Sequence, residues 1–261
     1  MDRIDKSTAA SRDRVGSLMK GLAVIELLAD HPQGLSLSEV AARAGLTRAG
    51  ARRLLLTLVA AGYAIQEGRR FHLSSRLIST ARTWLGGASL WTYAEPFMRA
   101  VSERFGEACS AAVLSGHEVV YVARIPGRHI LSVALHVGTR LPAFCTSMGR
   151  VLLSGLPPEA LDAYLESAQL RRLTPHTLID RRALRGAIER AAREGFAIVD
   201  EELEPGLRSI AVPIRDRTGQ IVAAINLSTQ SARLSVQALG ERVLPALREA
   251  ARQIEEYFAL Q

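Results

Sequence analysis

Residues 36–63 read SLSEVAARAGLTRAGARRLLLTLVAAGY, and this stretch decides the architecture of the first third of the chain. Ser36 stands three residues before Glu39, the spacing at which a hydroxyl and a carboxylate close reciprocally on the first free amides of a helix. That box predicts a short helix over 36–44, ended at Gly45, where a left-handed cap requires no side chain. Thr47 then caps a further helix, predicted over 48–61, with Leu54, Leu55 and Leu58 turned inward. Two short helices joined by a tight glycine turn form a helix-turn-helix. Ala41 is small where the helices cross, and Val40, Leu46, Ala51 and Leu54 fall where burial between them is required.

Upstream, Leu18, Leu22, Ile25 and Leu28 recur at three and four residues, one face of a helix that His31-Pro32-Gln33-Gly34 stops. Downstream, a three-residue loop centred on Gly68 would pair Ile65 with Phe71 and Tyr63 with Leu73, a wing with Arg69 and Arg70 at its tip. Residues 1–13 read as a disordered tail, 14–75 as a winged helix-turn-helix domain, and 76–90 as a linker helix ending near Gly86-Gly87. From 91 to 261 the texture changes. A helix ending near 105 is followed by predicted strands at 109–114, 119–125 and 130–137, then helices at 147–154, 158–167 and 181–193. Strands at 197–200, 207–214 and 221–228 follow, then a last helix over 236–257. Strand triplets separated by helices predict an α+β domain around a mainly antiparallel six-stranded sheet flanked by helices.

The charge divides unevenly. Of 33 Lys+Arg and 26 Asp+Glu in the 261 residues, the first 90 hold 13 and 7, a net of +6. The other 20 and 19 leave +1 on the remainder. One module is thus suited to a polyanion and the other is not. At 48% hydrophobic and 23% charged, the chain has enough apolar surface to fold, which excludes disorder as its dominant state. No apolar run approaches the roughly 20 residues of a membrane helix, and the polar N-terminus lacks the core of a signal peptide, so a cytoplasmic protein without membrane contact is expected.

Cys109 and Cys145 form no CxxC pair, HExxH is absent, and the six histidines lack ligand spacing, so no metal site and no cofactor are expected. The acidic run Asp200-Glu201-Glu202-Glu204 is weighed as a cation site against a solvated turn. Cys145 as a nucleophile would need a histidine that the sequence does not place. No catalytic residue is assigned, and the chain is read as a non-enzyme.

At the start of the recognition helix, Arg48 and Arg52 lie one turn apart on a shared face, with Thr47 and Arg53 beside them. Ala49 and Gly50 offer no hydrogen-bonding side chain and permit close approach. Ser36 and Ser38, at a capped helix start, suit a backbone phosphate, and Arg69 and Arg70 on the wing suit another. In the second domain, Thr146 and Ser147 can cap an apolar helix whose first amides, around Ser147, Met148 and Gly149, suit a small carboxylate. Strand alternation puts Leu207, Ser209 and Ala211 on one face and Arg208 on the other, and groups Ala224, Asn226 and Ser228. Arg208 is therefore read as a structural ion pair, with the acidic run as its partner.

Residues 36–63, the wing, and RLPAFCTSMGRVLLSGLP at 140–157 resemble the IclR family of bacterial transcription regulators over most of the chain. LTRAGARRLLLTL at 46–58, VVYVARIPGR at 119–128 and EPGLRSIAVPIRD at 204–216 resemble its beta-ketoadipate pathway subgroup, PcaR, PcaU and PobR. The resemblance implies a DNA-binding domain joined to an effector-binding domain, and a homodimer or tetramer on a near-palindromic double-stranded operator. It also implies an effector from aromatic-acid catabolism. The family's pocket positions fall on Ser147, Met148, Leu207, Ser209, Asn226 and Ser228. Ala49-Gly50 departs from the Ser or Thr usual in the family, so its base preference does not transfer. The leading expectation is a ligand-responsive repressor or activator of aromatic catabolism. A regulator answering to another small carboxylate such as a keto acid, an enzyme with a basic appendage, and an architectural DNA-binding protein are the alternatives.

Overall fold

The computed structural model describes residues 15–77, 90–128 and 135–259. They belong to two units, 1–87 and 88–261. Most of the expected linker, residues 78–89, and the expected tail lie outside the described residues.

In the first unit α1 (Gly16–Ala29) leads to a two-residue strand β1 (Leu35–Ser36), then α2 (Leu37–Arg43) and α3 (Arg48–Ala60). The hairpin β2 (Ala64–Glu67) and β3 (Arg70–Leu73) follows, with strand order β1-β3-β2. The box at Ser36 is present in both directions: the Ser36 amide donates to Glu39 Oε2 at 2.8 Å, and the Glu39 amide donates to Ser36 Oγ at 3.4 Å. Thr47 Oγ1 accepts from the Gly50 amide at 3.1 Å, and Gly45 has the left-handed φ of +63° that its turn demands. Val40, Ala51 and Leu55 are fully buried beside Val24, Leu28, Leu35 and Phe71. At about 1.5–3 kcal/mol for each large side chain buried, this cluster holds the three helices together.

Two expectations are corrected here. The wing pairs Ala64 with Leu73, Ile65 with His72, Gln66 with Phe71 and Glu67 with Arg70, one residue away from the expected register. The loop is two residues, not three, because Gly68 takes φ +59° at its first central position. The slip turns Ile65 outward, 42% exposed, and gives its inward place to Ala64. In α1, Val24 and Leu28 face the core, while Leu18 and Leu22 are 61% and 47% exposed.

The second unit begins with α4 (Leu90–Phe105) and the hairpin β4 (Ala108–Ser115) and β5 (Glu118–Ile125). β6 (Arg140–Pro142), a 3-10 turn (Ala143–Cys145), α5 (Ser147–Leu153), α6 (Pro158–Ser167) and α7 (Arg181–Glu194) come next. β7 (Ala197–Asp200), β8 (Leu207–Arg215) and β9 (Ile221–Gln230) complete one antiparallel sheet, ordered β6-β5-β4-β9-β8-β7. α4 and the C-terminal helix cover one face, through Met98, Val101, Leu247 and Ile254 on Ile210, Ile225 and Leu227. α5, α6 and α7 cover the other, through Met148, Leu152, Leu161, Leu184 and Ile188.

Of the expected strand at 130–137, residues 130–134 lie outside the described residues and 135–137 are not strand. The place is taken by β6, whose Arg-Leu-Pro is too short and too polar to announce itself. The expected last helix is interrupted. Val236–Ala238 forms α8, Leu239–Val243 is a π turn, and α9 runs from Leu244 to Ala259. Pro245 is the cause, since it lacks an amide for the carbonyl of Glu241 and its ring crowds that oxygen, so the turn before it widens.

Candidate functional site

Two surfaces, one in each unit, gather ten of the sixteen candidate DNA- and effector-binding residues named above. In the first unit a concavity is lined by Ser36, Ser38, Arg48, Arg52, Gln66 and Arg69, over a floor that includes Leu37, Leu56 and Phe71. α3 projects Arg48 and Arg52 from one face, α2 presents its capped start, and the wing closes the side with Arg69. Thr47, Ala49 and Arg53 are exposed along α3, and Gly50 is partly covered; none of these four lines the concavity. Arg70 is directed elsewhere: its Nη1 donates to the Gly34 carbonyl at 2.8 Å and ties the wing to the strand before α2. The Ser36 amide and hydroxyl hold the Glu39 carboxyl below its ordinary range, with smaller help from the positive charges of Arg70 and Arg43. Sequence reasoning missed Gln66, because the expected register put it on the opposite face.

In the second unit a cavity opens between the sheet and α5. It is narrow, with about 20 Å³ free inside it, room for about one water molecule. Ser147, Leu207, Ser209, Asn226 and Ser228 line it, together with Tyr121, Leu135, Cys145, Thr146, Val199 and Leu203. Pairing of Ser209 with Ser228, and of Ala211 with Asn226, sets these side chains in adjacent rows. Met148 does not line the cavity. The turn of α5 directs it into the apolar cluster, where it is fully buried.

The polar groups are unevenly satisfied. Asn226 Nδ2 donates to Ser228 Oγ at 3.0 Å, but Asn226 Oδ1 and Ser147 Oγ are buried with no hydrogen-bond partner among the described residues. A buried orphan of this kind costs on the order of 1–3 kcal/mol. Thr146 Oγ1 accepts from the Gly149 amide at 3.1 Å and is the true cap of α5. Burial pushes the Tyr121 hydroxyl and the Cys145 thiol each up to about 12, the thiol further disfavoured as thiolate by Glu202 nearby. Cys145 is thus held as a neutral thiol, contrary to what a nucleophile needs.

The roof is the turn between β7 and β8. Thr174 and Thr177 hydroxyls donate to the carbonyls of Glu201 and Glu202 at 2.6 and 2.7 Å. Glu202 itself accepts from Arg150 Nη2 at 2.5 Å, a pair almost wholly buried. Three carboxylates of the acidic run are thus engaged, Asp200 by Arg208, Glu201 by the Gly206 amide and Glu202 by Arg150, and no cluster of metal-ligating groups occurs among the described residues. Arg208 is bidentate to Asp200 at 2.7 and 2.8 Å, on the face away from the cavity as alternation requires. Tyr121, Cys145 and Leu203 were missed by sequence reasoning. Tyr121 needed the β4–β5 register, including its bulge at Ala111/Ala112, before its face could be known.

Comparison with known proteins addresses both units. A model of the IclR helix-turn-helix domain matches residues 17–68, and one of the bacterial transcriptional regulator IclR C-terminal domain matches residues 83–256. The chain is 39% identical over 243 residues to the Pca regulon regulatory protein of Pseudomonas putida, covering 93% of this chain and 84% of that one. It is 36% identical to the p-hydroxybenzoate hydroxylase transcriptional activator of Acinetobacter baylyi, covering 94% and 92%. Among solved structures, an IclR homolog from Microbacterium hydrocarbonoxydans complexed with 4-hydroxybenzoate superposes with a TM-score of 0.84. That pair is 28% identical, over 94% of this chain and 100% of the other. No described helix is long and apolar enough to cross a membrane.

Proposed function

The chain belongs to the IclR family of bacterial transcription regulators, and from that premise we propose that it controls aromatic-acid catabolism genes in answer to a small aromatic carboxylate. The observation that carries the ligand half is the pair of orphaned polar groups, the Ser147 hydroxyl and Asn226 Oδ1, lining one cavity. A hydroxylated benzoate answers both: its hydroxyl donates to Asn226 Oδ1, and Ser147 Oγ donates to an oxygen of the acid or accepts from a second hydroxyl. Leu203, Leu207 and Val199 cover the ring. Ser209 and Ser228 add hydroxyls that discriminate against unsubstituted rings, because a buried polar group left unpaired penalises the wrong ligand. Met148 acts from behind the wall, by its bulk. A solved relative holding 4-hydroxybenzoate supports the same ligand class.

The DNA half rests on Arg48, Arg52 and Arg69 around one concavity. In this reading α3 enters the major groove, with Arg48 and Arg52 toward base edges and Ala49 and Gly50 allowing close approach. Thr47, Arg53, Ser36 and Ser38 serve the phosphates, Arg69 reaches the backbone from the wing, and Arg70 braces it. The working form is a cytoplasmic homodimer or tetramer on a near-palindromic site, a regulator rather than an enzyme.

The test is fluorescence anisotropy of a labelled operator fragment, titrated with the full chain. Protocatechuate, 4-hydroxybenzoate, beta-ketoadipate, pyruvate and glyoxylate are added in turn. A change in operator affinity confined to the aromatic acids is the expected outcome. A response to pyruvate or glyoxylate alone would favour a keto-acid regulator, and a response to none would leave an architectural protein.

A further inference from the structure

Among the described residues that line the cavity there is no Lys, Arg or His. The helix facing it has only seven residues, and its Gly149 amide is already given to the Thr146 cap. A carboxylate closed in this space would lack a counter-charge, which is costly in a buried site. The sheet brings a cation to its edge. Arg124 pairs with Ser110 across β5 and β4, Ser110 pairs with Asn226 across β4 and β9, and Asn226 pairs with Ala211 across β9 and β8. Residues directly opposite in antiparallel strands project to one face, so Arg124, Ser110 and Asn226 form a single row on the cavity side. The Arg124 side chain already leans along that row: its Nη1 donates to Ser110 Oγ at 3.3 Å. One strand spacing, about 4.8 Å, then separates Ser110 from Asn226.

The company Arg124 keeps sets it apart. Arg150 is neutralised by Glu202, Arg208 by Asp200 and Arg233 by Glu107. Arg124 is partly buried with no carboxylate partner among the described residues. Desolvation lowers its pKa, opposed only by the Tyr121 hydroxyl in the cavity wall. A cation kept this way is stabilised by an arriving anion.

We infer that Arg124 is the carboxylate clamp of the cavity, its guanidinium passing from Ser110 Oγ to the carboxylate of a bound aromatic acid. The ring's other substituents are then left to Asn226 Oδ1 and Ser147 Oγ. This assigns the anion to the sheet and not to the start of α5, where the sequence suggested it. It rests on the aromatic-acid reading given above.

The experiment is isothermal titration of the full chain with 4-hydroxybenzoate and protocatechuate and with their primary amides. The wild-type chain should prefer acid over amide by about 10- to 100-fold, the size of a charge-assisted contact. Arg124→Gln should bring that ratio near one by weakening the acid while leaving the amide little changed. Arg124→Lys should retain part of the preference. Ser147→Ala should weaken protocatechuate and its amide alike, since the second hydroxyl loses its partner in both. Circular dichroism checks each fold, and Arg124→Met, which keeps the stem, replaces the Gln variant should that one unfold. An acid preference that survives in Arg124→Gln overturns the clamp alone, as does a collapse of the ratio in Ser147→Ala. Equal loss of acid and amide in Arg124→Gln assigns the residue to packing and overturns it as well. Failure of both acids to bind the wild-type chain refutes the aromatic-acid reading, and the clamp with it.

Discussion

The carboxylate of Glu202 accepts from Arg150 Nη2 at 2.5 Å and from the Leu178 amide at 3.1 Å, while the next residue, Leu203, lies over the cavity. Removing one member of a buried pair leaves the other charge unpaired, which costs about 3–5 kcal/mol. Glu202→Ala should therefore lower the stability of the second unit by that order in urea, and should also weaken ligand binding because the roof loses its anchor. A variant with unchanged midpoint would show that the pair contributes little. Gly149 is as constrained. A methyl there would collide with the Ala143 carbonyl, so Gly149→Ala displaces α5 from the 3-10 turn and should cost upward of about 1–3 kcal/mol. In the first unit, Glu39 is a partly covered carboxylate whose pKa is lowered by the Ser36 amide. A lowered folded value means that its contribution is complete above the ordinary value of 4.5 and is lost as pH falls through the folded value. Ser36→Ala removes the cap, at about 1 kcal/mol by urea titration near neutral pH, and Glu39→Gln should abolish the acid-side loss.

At the scale of elements, legibility followed the strength of local chemistry. The capped helices were readable because Ser36, Glu39, Gly45 and Thr47 each satisfy a backbone requirement within four residues. β8 and β9 were readable because alternation separates Ser209, Asn226 and Ser228 from Ile210, Ile225 and Leu227. The wing register was not, since Ala64 and Ile65 are both apolar and only the two-residue turn decides which faces inward. β6 was illegible because it is held by pairing with β5 and carries no pattern of its own. Likewise the strand that carries Arg124 was readable, but its alignment with Ser110 and Asn226 follows only from two strand registers. In α1 the sequence showed one apolar stripe where the folded unit divides two: Val24 and Leu28 inward, and Val15, Leu18, Met19 and Leu22 left open. An open stripe of large apolar groups, three on α1 and Val15 at its N-cap, is suited to association. Leu18→Glu with Leu22→Glu should weaken dimerisation by sedimentation while leaving helix content unchanged, because neither side chain supports the core. An undiminished dimer would place the contact elsewhere.

At the scale of the molecule the division of charge predicts how the chain meets DNA. A net of +6 lies in the first 90 residues and +1 in the rest, so the electrostatic part of operator binding belongs to the first unit. Each phosphate neutralised releases counterions, and log affinity falls against log salt with a slope of about −0.9 per contact on duplex DNA. Arg69, exposed on the wing and free of the tie that holds Arg70 to Gly34, is the residue to remove first. Arg69→Ala should weaken every sequence alike and make the slope shallower by about one unit. Arg52 faces the same concavity from α3, and Arg52→Ala should instead cost roughly 1–3 kcal/mol on the operator while sparing random duplex, if its head reaches a base edge. The two variants separate positioning from reading within one surface. Equal losses on operator and random duplex for Arg52→Ala would move it among the phosphate contacts and leave Arg48 to carry the sequence preference. Measured again with a saturating aromatic acid, the slope should stay the same while the operator preference shifts. The ligand has its site in the second unit and brings no phosphate-binding charge of its own, so it acts by changing which arrangement of the reading heads is populated. A slope that changes with ligand would mean that the acid alters the number of phosphates touched, and would tie the cavity to the wing itself.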